Sequence, residues 1–139
     1  MEKDVQTRNT KQRMVVRDAV MARYDHPTAD DIYLDVRAVN SSISRGTVYR
    51  NLSILCEAKE IGHVRVPEGA DRFDRTVEKH YHILCKKCRK VVDAPFPYDD
   101  VQDLLCEELS GFTIERHRTV FEGECAECRK KESAQAGIQ

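Results

Sequence analysis

Apolar positions along the chain change their period at recognisable points. Val16, Ala19, Val20 and Tyr24 recur at helical spacing, which predicts a helix capped by Thr10 and running through about Tyr24. His26-Pro27 breaks it, because the residue before a proline avoids the helical region. Thr28-Ala29-Asp30-Asp31 then reads as a capping box, with Thr28 at the N-cap and Asp31 at N3. The helix it opens would turn Ile32, Val36 and Val39 inward. After the turn Asn40-Ser41-Ser42-Ile43, Ser44 can cap a third helix, RGTVYRNLSILCEAKE. Its Val48, Leu52 and Leu55 sit at i, i+4 and i+7 and predict a buried stripe, leaving Thr47, Tyr49, Arg50 and Ser53 on other faces. Two alternating runs follow, HVRVP and DRFDR, joined by Glu68-Gly69, and predict a hairpin. Helix, helix, turn, helix, hairpin is the order of a winged helix-turn-helix, whose last helix enters the major groove of DNA. A three-helix cluster with a hairpin need not touch DNA, so the pattern alone leaves Tyr49 and Arg50 open between base-reading and plain solvated surface.

Beyond Thr76 the pattern is different. His80 to Cys85 and the run RKVVD read as short strands. Val101, Leu104, Leu105, Glu108 and Leu109 outline an amphipathic helix that Gly111 ends, and FTIERHRTVFEGEC alternates as a strand. The fold class expected is therefore α+β, with an N-terminal domain over 1–76 and a C-terminal α/β domain over 77–139.

Charge narrows the possible partners. The 139 residues carry a net charge of -1, with 34% charged and 40% apolar residues and no Trp, so the core must be aliphatic. Up to Thr76 there are 13 basic and 12 acidic residues, and after it 10 and 12, so neither half is a polycation. Binding to nucleic acid would have to come from local placement of charge. The opening MEKDVQTRNT has no apolar h-region, and no run reaches the ~18 apolar residues of a membrane helix. A cytoplasmic protein without a membrane partner is expected, and there six cysteines favour thiolate ligands over disulfides.

Cys85-x-x-Cys88 recurs as Cys125-x-x-Cys128 after 36 intervening residues. Four thiolates suffice for a closed tetrahedral Zn2+ site without an open position, although one or two disulfides or a redox pair would fit the same spacing. Cys56 and Cys106 lack such neighbours and read as buried small hydrophobes. In a strand, His80 and His82 project to one face. Asp93, closing the next strand, is within reach if the two strands pair, and the set suits a divalent first-row ion. HxH with a carboxylate also imitates the facial triad of mononuclear iron oxygenases, whereas the HxE and PCxxC signature of zinc deaminases is absent.

HPTADDIY (His26 to Tyr33), GTVYRNL (Gly46 to Leu52), RFD (Arg72 to Asp74), HYHILCKKC (His80 to Cys88) and CAEC (Cys125 to Cys128) together resemble the ferric uptake regulator (Fur) family over about residues 10 to 130. The resemblance implies a homodimeric, metal-dependent repressor, not an enzyme and without a small-molecule substrate. It would have a winged-helix DNA-binding domain and a dimerisation domain holding the structural zinc. It implies a regulatory site for Fe2+ or Mn2+ formed by His26, Asp74, His80, His82 and Asp93, clasping the two domains across the Thr76–Lys79 hinge. It also implies that Arg13, Arg45, Thr47, Tyr49 and Arg50 contact double-stranded DNA at a palindromic operator. Lys11 stands where the family commonly has proline, and the N-terminal arm is short. Asp93, where iron-responsive members typically carry glutamate, points to the peroxide-sensing (PerR) branch. There hydrogen peroxide oxidises ligand histidines, matching His26 and His80 here. The alternative is an iron- or zinc-dose regulator without peroxide chemistry. Lys79 and Tyr81 stand where iron-sensing members place ligands of an additional site, which leaves the matching His117 as a strand-surface histidine.

Overall fold

The computed structural model describes residues 7–136, so the N-terminal arm ahead of Thr7 lies outside the described residues. The chain forms two compact units, Met1–Glu78 and Lys79–Gln139.

The first unit holds α1 (Arg8–Met21), α2 (Ala29–Val39), α3 (Arg45–Glu57), β1 (Gly62–Val64) and β2 (Arg72–Asp74). All three helices start on a hydroxyl cap. The Thr28–Asp31 capping box forms as expected, and Ser44 accepts from the Thr47 amide. For α1 the cap is Thr7 rather than Thr10: the Thr7 hydroxyl accepts from the Thr10 amide, which places Thr10 inside the first turn. Because α1 ends at Met21, Tyr24 leaves the apolar face and is 76% exposed, its ring lying under the Arg75 guanidinium at 4.2 Å. Val39 also departs from expectation, 78% exposed at the last helical position before an extended Asn40.

What remains is a core of nine aliphatic side chains, Val16, Val20, Ile32, Val36, Ile43, Val48, Leu52, Leu55 and Ile61, closed by the Phe73 ring. The hairpin strands pair antiparallel with Gly62 opposite Asp74 and His63 opposite Phe73. Gly62 is required there, since a Cβ would stand 2.7 Å from the Thr76 carbonyl oxygen. The loop carrying His26 is stitched to β2, because the Phe73 amide donates to the Pro27 carbonyl at 2.8 Å.

The second unit holds β3 (His80–Cys85), β4 (Val91–Pro97), α4 (Val101–Ser110), β5 (Val120–Gly123) and α5 (Ala126–Ala136). The sheet order is β4-β3-β5, with β3 antiparallel to β4 and parallel to β5. β4 runs on to Pro97, so Asp93 is an interior residue of its strand and not the last. The strand expected over residues 112–125 shrinks to β5. Ahead of it, the Ile114 amide is taken by the Glu107 carboxylate at 2.8 Å and the His117 amide by the Tyr98 hydroxyl at 2.9 Å, bonds that replace a ladder. α4 ends at Gly111 in the left-handed region (φ 78°), as expected. Its apolar face is uncovered, with Leu104 at 59% and Leu109 at 82% exposure. Cys106 is exposed with it, against the expectation of burial, while Cys56 packs against the core and burial pushes its thiol up to about 11. No helix among the described residues is long and apolar enough to cross a membrane.

Candidate metal centres and recognition helix

Cys85 closes β3, Cys88 sits in the turn that follows, Cys125 lies between β5 and α5, and Cys128 is in the first turn of α5. The parallel pairing of β3 with β5, ending at Cys85 opposite Gly123, brings the two hooks together. Cys85 Sγ lies 3.8 Å from Cys128 Sγ and Cys88 Sγ 3.9 Å from Cys125 Sγ, and none of the four is in a disulfide. A tetrahedron with zinc–sulfur bonds of ~2.3 Å has edges of about 3.8 Å, which these two separations match, and all four sulfurs lie within 4.8 Å of one another. Amide donors tune the cluster. The Cys125 and Cys88 backbone N–H groups point at Cys85 Sγ and lower its thiol to about 5. Cys128 is raised to about 12, chiefly by its hydrogen bond with the Cys125 side chain. The amides thus favour the thiolate form at Cys85, and a bound dication would favour ionisation of the other three.

The nitrogen and oxygen donors fall in both units. In the second, His82 stands opposite Asp93 in the β3–β4 ladder. His80 Nε2 lies 3.1 Å and His82 Nε2 3.7 Å from Asp93 Oδ1, and the two imidazole centroids are 4.4 Å apart. In the first, His26 Nε2 lies 3.3 Å from Asp74 Oδ2, both residues being buried. His26 adopts a left-handed backbone (φ 56°), uncommon for a residue with a Cβ, and its carbonyl accepts from Arg72 at 3.0 Å. Asp74 is oriented by the Thr76 amide, which donates to its other carboxylate oxygen at 2.9 Å. Imidazole nitrogens beside carboxylate oxygens, with sulfur kept elsewhere, fit a ferrous or manganous ion by the chemistry of the donors.

The outer face of α3 carries Thr47, Tyr49 and Arg50. Arg50 donates to the Thr47 hydroxyl at 3.3 Å. Tyr49 and Arg45 both donate to Asp30 Oδ1 at the start of α2, and the Arg45 guanidinium also lies 4.4 Å from the Tyr33 ring centroid. Arg13 is turned toward the protein: its Nε donates to Asn51 Oδ1 at 3.3 Å. Asn51 in turn donates to the Thr47 carbonyl at 2.9 Å. This buried amide was missed by the pattern reading, although a polar residue within the Val48–Leu52–Leu55 stripe was the signal available.

Residues 4–122 match the Ferric uptake regulator family. The chain belongs to that family. Among curated relatives, the peroxide operon regulator of Bacillus subtilis is 34% identical over 131 residues, covering 94% of this chain and 90% of that protein. The peroxide-responsive repressor PerR of Staphylococcus saprophyticus is 35% identical over 127 residues, covering 89% and 84%. Among solved structures, the Campylobacter jejuni peroxide stress regulator superposes with a TM-score of 0.72 at 26% identity, covering 88% of this chain and 93% of that one. As a Fur-family protein the chain is a metal-dependent regulator, and its α+β fold with an N-terminal winged helix is the one expected from the sequence.

One residue of this Fur-family chain sits in an environment the sequence did not suggest. His117 is no surface histidine. Its Nε2 lies 2.7 Å from the Tyr81 hydroxyl and its Nδ1 2.7 Å from Asp103 Oδ1, while its ring stacks on Tyr98 at 4.6 Å.

Proposed function

We propose that this chain is a cytoplasmic, homodimeric repressor that holds DNA while Fe2+ or Mn2+ is bound and lets go when hydrogen peroxide oxidises its own ligands. The observation that carries the reading is a matched histidine–aspartate pair in each unit, His26 with Asp74 at 3.3 Å and His80 with Asp93 at 3.1 Å, in a chain whose relatives are named for peroxide response. One ion taking donors from His26, Asp74, His80, His82 and Asp93 would bind tightly only when the two units face each other correctly. By linkage, that difference in affinity is the whole of the switch. The zinc at Cys85, Cys88, Cys125 and Cys128 takes no part in it and keeps the second unit folded.

Residues 1–76 then form the DNA-binding domain and 77–139 the dimerisation domain. The bare apolar face of α4 supports a homodimer, since Val101, Leu104, Leu105 and Leu109 would be covered by a second copy. Two-fold symmetry places two α3 helices against the half-sites of a palindromic operator. Arg50 would read guanine, Tyr49 and Thr47 would touch thymine methyls or phosphates, and Arg45 would take a phosphate. Arg13 contributes by bracing α3 through Asn51 before it contributes any contact of its own.

A bound ferrous ion would give one electron to hydrogen peroxide and recover one from the oxidised ring, so that the net change falls on the imidazole. The chain presents imidazole carbons of His26 and His80 to the resulting oxidant. Overall, one peroxide oxygen leaves as water. The other bonds to the ring carbon, whose hydrogen passes to a ring nitrogen. The oxidised ring donates more weakly, the two units lose their common ligand, and DNA is released. Manganese holds the same donors without this reaction. The protein is consumed in the event, so it acts as a sensor and not as an enzyme.

The test is peroxide treatment of the iron-loaded dimer followed by mass analysis of its tryptic peptides. One added oxygen on the His26 or His80 peptide, coincident with loss of operator binding, is expected. Release of DNA by metal removal alone, with both peptides unmodified by peroxide, would leave an iron- or zinc-dose regulator in its place.

A further inference from the structure

β3 has an irregularity where its two histidines lie. His80 pairs with Pro97 and His82 with Asp93, so the register shifts between them. Pro97 has no N–H to give to the ladder. Strand pairing therefore cannot by itself fix the spacing of the two imidazoles, and the residue between them, Tyr81, has to be considered.

Tyr81 projects to the opposite face of β3 and is 5% exposed. Its hydroxyl is anchored from two directions, by the Asp99 amide donating at 3.1 Å and by His117 Nε2 at 2.7 Å. His117 is held in its turn. Asp103 Oδ1 lies 2.7 Å from its Nδ1, the Tyr98 ring stacks on it, and its own amide donates to the Tyr98 hydroxyl at 2.9 Å. The second oxygen of Asp103 accepts from the Tyr98 hydroxyl. A carboxylate at Nδ1 sets the tautomer, with the proton on Nδ1 and the lone pair on Nε2, so Tyr81 O–H is the donor to His117. Lys79, beside His80, closes the cluster by donating to the Glu115 carbonyl at 3.0 Å with its ammonium 5.3 Å from the Tyr98 centroid. Each polar group has a partner, which makes the network stiff.

We propose that His117 is a positioning residue for the regulatory ion: backed by Asp103 and Tyr98, it pins the Tyr81 hydroxyl and so fixes the spacing of the His80 and His82 imidazoles on the other face of β3. The inference rests on the reading that these histidines hold that ion. The sulfur site lies at the other end of β3, where the ladder pairs residue by residue from His82 to Leu84, and it does not depend on the pin.

The experiment compares the full-length, zinc-loaded dimer with Tyr81→Phe, His117→Ala and His117→Gln. Cobalt(II) is titrated into the nitrogen–oxygen site and followed by its d–d absorption, and manganese(II) is followed by the electron-spin signal of the free ion. Zinc content and thermal melting are measured alongside. Tyr81→Phe keeps the His117–Asp103–Tyr98 cluster and removes the hydroxyl with both its anchors, His117 and the Asp99 amide, so it tests the pin should His117→Ala fail to fold. Tyr81→Phe is expected to weaken cobalt and manganese binding by about tenfold, the lower end of what outer partners of metal ligands contribute, and to alter the cobalt band pattern at unchanged zinc content. His117→Gln, which returns an acceptor to Tyr81, should recover part of the affinity lost in His117→Ala. Wild-type affinity and spectrum in Tyr81→Phe would overturn the proposal, as would losses of cobalt binding that merely follow losses of zinc or melting temperature. Absence of a nitrogen–oxygen cobalt signal in the unmodified protein would instead overturn the reading on which the proposal rests.

Discussion

The four cysteines all belong to the second unit, on segments that the β3–β5 pairing holds side by side, and their sulfurs lie within 4.8 Å of one another. The five histidine and aspartate residues are divided, two in the first unit and three in the second. A site assembled within one unit can only stabilise that unit. On the proposed reading, ligands divided between units would let the ion report on how the units are arranged. Softness of the donors follows the same division: thiolates retain zinc, while imidazole and carboxylate exchange ferrous and manganous ions and leave an oxidisable imidazole carbon beside them.

The largest effect should come from breaking the sulfur site. Cys85→Ser or Cys125→Ser forfeits a binding free energy on the order of 10 kcal/mol, more than the usual stability of a small domain. Metal analysis and size-exclusion chromatography should find a zinc-free, unfolded or disassembled chain. A zinc-free dimer with native circular dichroism would show that the cluster is not structural. Next in size is His82→Ala, which removes a ligand outright. Manganese affinity should fall by at least the ~10–100-fold seen when outer partners are removed, with zinc content and dimerisation unchanged. Joint loss of both metals would show that the two sites are not independent.

Local signals made the elements and the cysteine hooks readable in the sequence, whereas the addition of His26 and Asp74 to the histidine pair came only from the family resemblance. A capping box, an apolar stripe at helical spacing, two CxxC hooks and an HxH pair each declare themselves within a few residues. What failed was whatever depends on distant partners. His117 meets Asp103 and Tyr98, 14 and 19 residues away, and the linear pattern, which places His117 on a strand surface, carries no sign of either partner. Arg13 and Asn51, 38 residues apart, are another such pair. The α4 stripe was recognised as apolar, yet periodicity says only that a face seeks cover and not what covers it. Tyr24 and Val39 were misplaced because helix ends decide which residues stay on a face, and ends are the least sharply encoded feature.

Arg50→Ala separates recognition from metal chemistry. Loss of a bidentate guanine contact should weaken specific DNA binding by about 1–3 kcal/mol, leaving both metals in place. An unchanged footprint would mean that α3 is not the reading helix. Asp93→Glu should act more narrowly: metal-dependent DNA binding persists while oxygen incorporation at His26 and His80 falls. Peroxide sensitivity equal to that of the unmodified protein would deny the aspartate any part in the sensing chemistry.

The smallest effect tests the cluster behind β3. The Asp103 carboxyl is held below its ordinary value, first by the Tyr98 hydroxyl that donates to it and then by its hydrogen bond with His117, while burial works the other way. A carboxyl whose folded value is depressed stabilises the fold above its unfolded value of about 3.9, and that contribution disappears as pH falls through the lower, folded value. Protonation of the thiolates and loss of zinc in acid would burden the protein and Asp103→Asn alike, so the quantity to follow is the difference between them. In urea unfolding the gap in stability should begin to narrow as pH falls to about 4 and should close only once pH has passed the lower, folded value, where both chains carry an uncharged side chain at this position. A gap that persists unchanged into acid would mean that the shape of the side chain, and not its charge beside His117 and Tyr98, is what the cluster requires.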